Sequence, residues 1–270
     1  MARLAEPLAT RIADHAIRAA CRLAAHRIDL RVEGLEHLPA TGPALLAARH
    51  FHHFYDGCAL VVVGPRPLRI LVTLDWLENP AGLRLMRSAC QMARWPIVAR
   101  SDSLVWHGHA TQARVAPAAR RQLLAATRDC VGLLRGGEFL LVFPEGYPNI
   151  DPGFTPKVGD GAFLPFEPGF LRVVALAEQD GITRVPIVPV GLEYRRRDPW
   201  RVTVRFGHPV WHSPDMASRA QIAAIEEQVR RLSGLVCAPG AAEKAKSDVP
   251  AVEGTHVTGC RQSGERTPLS

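Results

Sequence analysis

Two short apolar runs each end in reactive or turn-forming residues. Pro43–Ala48 (PALLAA) gives way at once to Arg49, His50, His52, His53 and Asp56, and Phe139–Phe143 (FLLVF) gives way to Pro144, Glu145 and Gly146. Unbroken apolar runs of this length suit strands buried on both faces, and such strands occur in parallel sheets covered by helices. Helical periodicity supplies the covers. Pro80–Ala93 places Leu83, Met86, Cys90 and Ala93 on one face, and the segment opened by Pro117 does the same with Leu123, Cys130, Val131 and Leu134. Pro168–Gln179 and Pro214–Leu232 read as further helices, the last with Ile222, Ile225, Val229 and Leu232 inward, and Leu68–Val72, Val185–Val190 and Val202–Phe206 as further strands. The expected fold is α/β, a mixed, largely parallel sheet flanked by helices. In open sheets of this class ligands bind outside the carboxyl ends of the strands, where the two runs end.

Histidine is the side chain that exchanges a proton near neutrality, with an unperturbed pKa of about 6.5. A carboxylate accepting one ring N–H fixes the tautomer and leaves the other nitrogen free as a general base. Asp56 can serve His50 across the turn, or His52 at i,i+4 on a shared helix face. His50, Asp56 and His52 are therefore the candidate catalytic residues.

These blocks, in this order, resemble the glycerolipid acyltransferase family, which includes the 1-acylglycerol-3-phosphate acyltransferases. The family carries an H-x-x-x-x-D block after a strand and a later Phe-Pro-Glu-Gly block, here Phe143–Gly146. The lead-in Arg31–His50, the segment PIVARSD (Pro96–Asp102) and the stretches Phe166–Glu178 and Val185–Tyr194 resemble the family's other regions, so the likeness spans roughly residues 30 to 210. It implies a glycerol-3-phosphate acyltransferase-like fold. It also implies transfer of a fatty acyl group from acyl-CoA or acyl-carrier protein to a hydroxyl of a lysophospholipid or glycerolipid-like acceptor, with a His-Asp dyad as general base. Arg100, Glu145 and Gly146 are implied to hold the acceptor headgroup. No cofactor is expected beyond the thioester co-substrate, and no metal.

The chain departs from that pattern in places. His50 to Asp56 is one residue longer than the family's interval and His52 to Asp56 one shorter; the end of the strand favours His50. Arg49 stands where Asn is usual, Tyr147-Pro148-Asn149 replaces Thr-Arg, and Glu167 replaces a common Lys. Each change removes a group suited to phosphate, so the acceptor need not be lysophosphatidic acid. Two rival readings remain: a metallohydrolase using the histidine cluster, and a non-catalytic membrane-surface protein that keeps the fold. The H-x-H pair His107 and His109 lacks a third metal ligand in sequence.

Lys and Arg outnumber Asp and Glu by 33 to 26, a net charge of +7 that suits an anionic membrane surface or phosphorylated substrates. No basic run interleaved with aromatics points to nucleic acid. The six cysteines contain no C-x-x-C and read as buried thiols in a reducing compartment. No signal peptide is legible, and no charge-free apolar stretch reaches the ~18 residues of a membrane span. Residues 3–27 form an amphipathic pattern, with Leu4, Leu8, Ile12, Ala16, Ala19 and Leu23 in one stripe among arginines. That stripe suits either a membrane interface or the protein's own core. The expected organisation is a membrane-surface helix over 1–29, an acyltransferase-like domain over 30–237 and a disordered tail over 238–270. The expected location is cytoplasmic, peripheral at the inner face of the membrane.

Overall fold

The computed structural model describes residues 8–98 and 112–235, the side chains of 112–119 excepted. Helix α1 (Leu8–Ala25) leads into β1 (Ile28–Glu33) and a 3₁₀ turn at Leu35–His37. Strand β2 (Ala44–Ala48), α2 (Tyr55–Val63), β3 (Leu68–Ile70) and α3 (Pro80–Met92) follow, then α4 (Gln112–Arg135), β4 (Phe139–Val142) and α5 (Gly169–Glu178). The C-terminal part comprises β5 (Pro186–Arg195), β6 (Trp200–Phe206), β7 (Val210–Trp211) and α6 (Ser218–Leu232). The tail expected over 238–270 lies outside the described residues.

The strands form one mixed sheet in the order β1-β6-β5-β2-β4-β3. Strands β2, β3, β4 and β5 run parallel, and β6 turns back antiparallel to β5 with β1 parallel beside it. Strand β7 pairs antiparallel with the first residues of β5. The mixed, largely parallel sheet anticipated from the apolar runs is therefore present. Its central strand is β2, flanked by β5 and β4, so the residues after Ala48 emerge mid-sheet at the carboxyl edge.

Alternation along β2 divides the core into two layers, because successive side chains of a strand point to opposite faces. Ala44, Leu46 and Ala48 pack with Cys21 of α1 and with Cys58, Ala59, Leu60 and Val61 of α2. Leu45 and Ala47 pack with Cys130, Leu133 and Leu134 of α4, Phe170, Leu171 and Val174 of α5, and Ile225 and Val229 of α6. Four cysteines, Cys21, Cys58, Cys90 and Cys130, are buried free thiols; Cys237 and Cys260 lie outside the described residues.

One side-chain placement differs from the periodicity reading, and another chooses between the faces it left open. Leu123 does not join the inward face of α4: it is 54% exposed, and Ala126, Cys130, Leu133 and Leu134 make the buried stripe instead. On α1 the large apolar residues turn outward, with Leu8 70%, Ile12 60% and Leu23 74% exposed, while the helix docks through Thr10, Ile17 and Cys21. A buried ionic cluster completes the docking. Arg69 of β3, fully buried, donates to Asp14 of α1 at 2.6 Å and to the carbonyl of Ala93 at 3.0 Å, and its Nε lies 3.4 Å from Glu138.

Candidate active site

The turn between β2 and α2 carries the histidines, and its backbone is fully accounted for. The N–H of Arg49 donates to Val190, that of His50 to Glu145 Oε1 at 2.8 Å, and those of Phe51 and His52 to Asp56 Oδ2 at 2.6 and 3.0 Å. His53 donates to the carbonyl of Ile150, Phe54 and Tyr55 to Nδ1 of His52, and Asp56 to the carbonyl of His52. A buried polar loop is stable only when its donors find acceptors, and here all of them do. The interval that is one residue too long for the family's block is thus accommodated as an ordered turn.

Asp56, in the first turn of α2, is completely buried and gathers donors on both oxygens. Oδ2 faces Nδ1 of His50 at 2.9 Å as well as the two backbone N–H groups; Oδ1 accepts from the Tyr194 hydroxyl at 2.5 Å. An ionised carboxylate can only accept, so the proton of the His50 ring sits on Nδ1 and the lone pair of Nε2 is left open. Nε2 has no partner among the described residues. The ring stacks on Phe143 at 4.1 Å between centroids, and its side chain keeps 13% of its surface exposed. The ring thus has one nitrogen oriented and one without a partner, at the carboxyl edge of the sheet.

His52 is placed differently. Only its backbone N–H reaches Asp56, because α2 begins at Tyr55 and His52 lies in the turn before it, off the helix face expected for an i,i+4 pair. Its Nδ1 accepts from the N–H groups of Phe54 and Tyr55 at 3.2 and 3.4 Å, capping α2. Burial, and then the neighbouring His53 ring, hold its pKa below the ordinary imidazole value.

The FPEG block reaches the site from β4. Gly146 adopts φ 74°, in the left-handed region that glycine enters without a steric cost, and turns the chain away after Glu145. The Glu145 side chain has no solvent exposure. Oε1 accepts from His50 N–H, and Oε2 accepts from Leu164 N–H at 3.0 Å and meets Lys157 Nζ at 2.6 Å. Its carboxylate therefore faces into the protein beneath the histidine turn. Arg49 is buried as well, donating to the carbonyls of Leu192 and Asp160 and lying 5.0 Å over the Phe51 ring. Arg100 lies outside the described residues, as do His107 and His109. Among the described residues no group of three or more His, Cys, Asp or Glu is placed to hold a metal ion. A cavity of about 660 Å³ between α3 and α4, bordered by Arg87, Arg94, Arg128 and Asp129, shares no lining residue with the histidine turn.

The Acyltransferase family model matches residues 29–193, from the start of β1 through most of β5. The chain belongs to the Acyltransferase family. No curated protein matches it by sequence. Among solved structures it is similar to the 1-acyl-sn-glycerophosphate (LPA) acyltransferase PlsC from Thermotoga maritima, with a TM-score of 0.57 and 17% identity over 90% of this chain and 83% of that one. That likeness is one of fold.

Within this acyltransferase-family chain, sequence reasoning had not singled out two residues that touch the site. Tyr194 sits near the end of β5, and its phenol is held well above its ordinary pKa by burial and by the Asp56 charge, so it stays a donor. A period-2 reading of VGLEY places Tyr194 on the same strand face as Leu192, toward the core layer that includes α2, but gives no partner. Lys157, in the Gly- and Pro-rich loop after β4, has a fully buried side chain. Nothing in the string TPKVG distinguishes it from a surface lysine.

Proposed function

We propose that the protein transfers a fatty acyl group from a thioester, acyl-CoA or acyl-carrier protein, to a hydroxyl of a lysophospholipid or glycerolipid-like acceptor. The observation that carries this reading is the 2.9 Å contact from His50 Nδ1 to a buried Asp56, with Nε2 left without a partner among the described residues. Nε2 takes the proton of the acceptor hydroxyl as its oxygen attacks the thioester carbonyl carbon. Asp56 supports the imidazolium that forms. The tetrahedral intermediate collapses with cleavage of the carbon–sulfur bond, and the imidazolium returns its proton to the departing thiolate. An ordered His-Asp contact favours catalysis over the non-catalytic reading. Arg100 and the Glu145–Gly146 turn are assigned to the acceptor headgroup on the strength of the family resemblance, and His52 is the reserve base.

The lipid acceptor implies work at a bilayer. Among the described residues no helix is long and apolar enough to cross a membrane. The outward-facing Leu8, Ile12 and Leu23, with Arg11 and Arg22 also exposed on α1, support attachment of residues 1–29 to an anionic surface. Residues 30–237 then form the catalytic domain, at the inner face of the membrane.

The test offers the protein labelled acyl-CoA and acyl-carrier protein with a panel of lysophospholipids, with and without chelator, and reads acylated lipid by mass spectrometry. Product that survives chelation, disappears in His50→Ala and persists in His52→Asn is expected. No product from any donor and acceptor pair rejects acyl transfer; product lost in His52→Asn and retained in His50→Ala moves the base to His52.

A further inference from the structure

Lys157 and Glu145 form an ion pair at 2.6 Å in which neither side chain has any solvent exposure. Such a pair is a poor source of stability, since desolvating both charges offsets most of their attraction and apolar replacements of equal volume often do as well or better. Its position is more informative. Glu145 Oε1 accepts the N–H of His50 at 2.8 Å, and Lys157 Nζ donates to the carbonyl of His50 at 2.6 Å. The remaining contacts lock the pair to its surroundings: Nζ reaches Asn149 Oδ1 at 3.3 Å, and Glu145 Oε2 takes the N–H of Leu164. The two peptide groups on either side of the His50 Cα are therefore gripped by opposite ends of one ion pair.

We propose that Lys157, acting with Glu145, is a positioning residue for the base: the pair fixes the backbone of His50 so that Nδ1 meets Asp56 and Nε2 faces the substrate side. This rests on the acyl-transfer reading for its kinetic consequence and on geometry alone for its structural one. The longer interval between His50 and Asp56 creates the need. Asp56 holds the His50 ring and the N–H groups of Phe51 and His52, but it does not touch the N–H or carbonyl of His50. The loop lysine, 107 residues further along the chain, supplies the missing restraint.

Three variants of the full chain test this: Lys157→Met, Glu145→Leu/Lys157→Met, which removes the charge the first leaves buried and unpaired, and Lys157→Gln, whose amide can still donate to the His50 carbonyl. Each is read by steady-state kinetics with acyl-CoA and a lysophospholipid. Each is also read by the imidazole ¹⁵N–¹H spectrum, in which an Nδ1–H bonded to a carboxylate gives a downfield proton signal. In Lys157→Met and in the double variant kcat is expected to fall about 10²-fold from misplacement of the base. The acceptor KM should stay within about twofold, as for a loss confined to the transition state. The His50 signal should move or vanish in both, and Lys157→Gln should recover most of the lost kcat. A folded double variant that keeps the wild-type kcat and His50 signal overturns the proposal, as does Lys157→Gln behaving like Lys157→Met. If the wild type transfers no acyl group, the acyl-transfer reading fails, and the His50 signal in these variants still decides whether the pair holds the ring.

Discussion

The Tyr194 hydroxyl reaches Asp56 Oδ1 across 138 residues of sequence, closing the carboxylate from the side opposite His50. Tyr194→Phe keeps the ring that stacks on Phe51 at 4.3 Å and removes only the donor. An oxygen left unpaired in a site without solvent costs about 1–3 kcal/mol, so the urea midpoint of this variant should fall accordingly. An unchanged midpoint would mean that water enters the gap.

Asp56→Asn exposes the other half of the arrangement. A neutral amide cannot support an imidazolium, and its NH₂ group would oppose donors that now converge on oxygen. By analogy with the loss of the orienting carboxylate in Ser-His-Asp enzymes, kcat should drop by about 10⁴-fold. Steady-state acyl transfer measures this, and retention of a tenth of the wild-type rate would rule out the dyad.

His52 gives a pH signature separate from catalysis. Its folded pKa is depressed by burial and by His53, so between that value and the unfolded value of about 6.5 the unfolded chain binds more protons than the native one. Stability from this group is complete above pH ~6.5 and is lost as pH falls through the folded pKa. Denaturation midpoints of wild type should decline over that acid range more steeply than those of His52→Asn, which retains a capping oxygen. Parallel curves would show that the cap does not titrate.

The strands that frame the site were legible because burial on both faces leaves a strong mark. PALLAA and FLLVF became β2 and β4, and the polar residues after them met at the carboxyl edge. What was not legible depended on partners distant in sequence. The spacing left His50 and His52 open as alternatives; the ring contact with Asp56 belongs to His50, and the turn that permits it is held by Ile150, Glu145 and Val190. Lys157 reads as an ordinary loop lysine until Glu145 is seen beneath the turn. Periodicity identified α1 as amphipathic but not which face it docks, because Thr, Cys and Ala can pack against a helix as closely as Leu can pack against lipid.

The outward face of α1 makes a prediction of its own. Replacing Leu8, Ile12 and Leu23 together with Ser should reduce partitioning onto anionic vesicles by more than about tenfold, since each loses apolar area that would enter the interface. The melting temperature should hardly change, because these side chains are largely exposed already. Equal sedimentation with vesicles by both proteins would place the membrane contact elsewhere.

Arg69 ties that same helix to the sheet. Arg69→Met leaves Asp14 and Glu138 without their buried cation, and breaking a buried pair from one side is expected to cost about 3–5 kcal/mol. Calorimetry or urea unfolding checks this, and a loss below about 1 kcal/mol would reduce the cluster to a surface-like contact.

The Arg69–Asp14 contact also means that α1, the helix proposed to meet a bilayer, is a wall of the folded body. A chain trimmed to the family-matched span would take Asp14 from Arg69, uncover Cys58 and open both partners of β6, so the proposed anchorage and foldedness stand or fall together. Detachment from lipid and survival of the enzyme should then be separable by changing single side chains on the outer face of α1, and not by cutting the helix away.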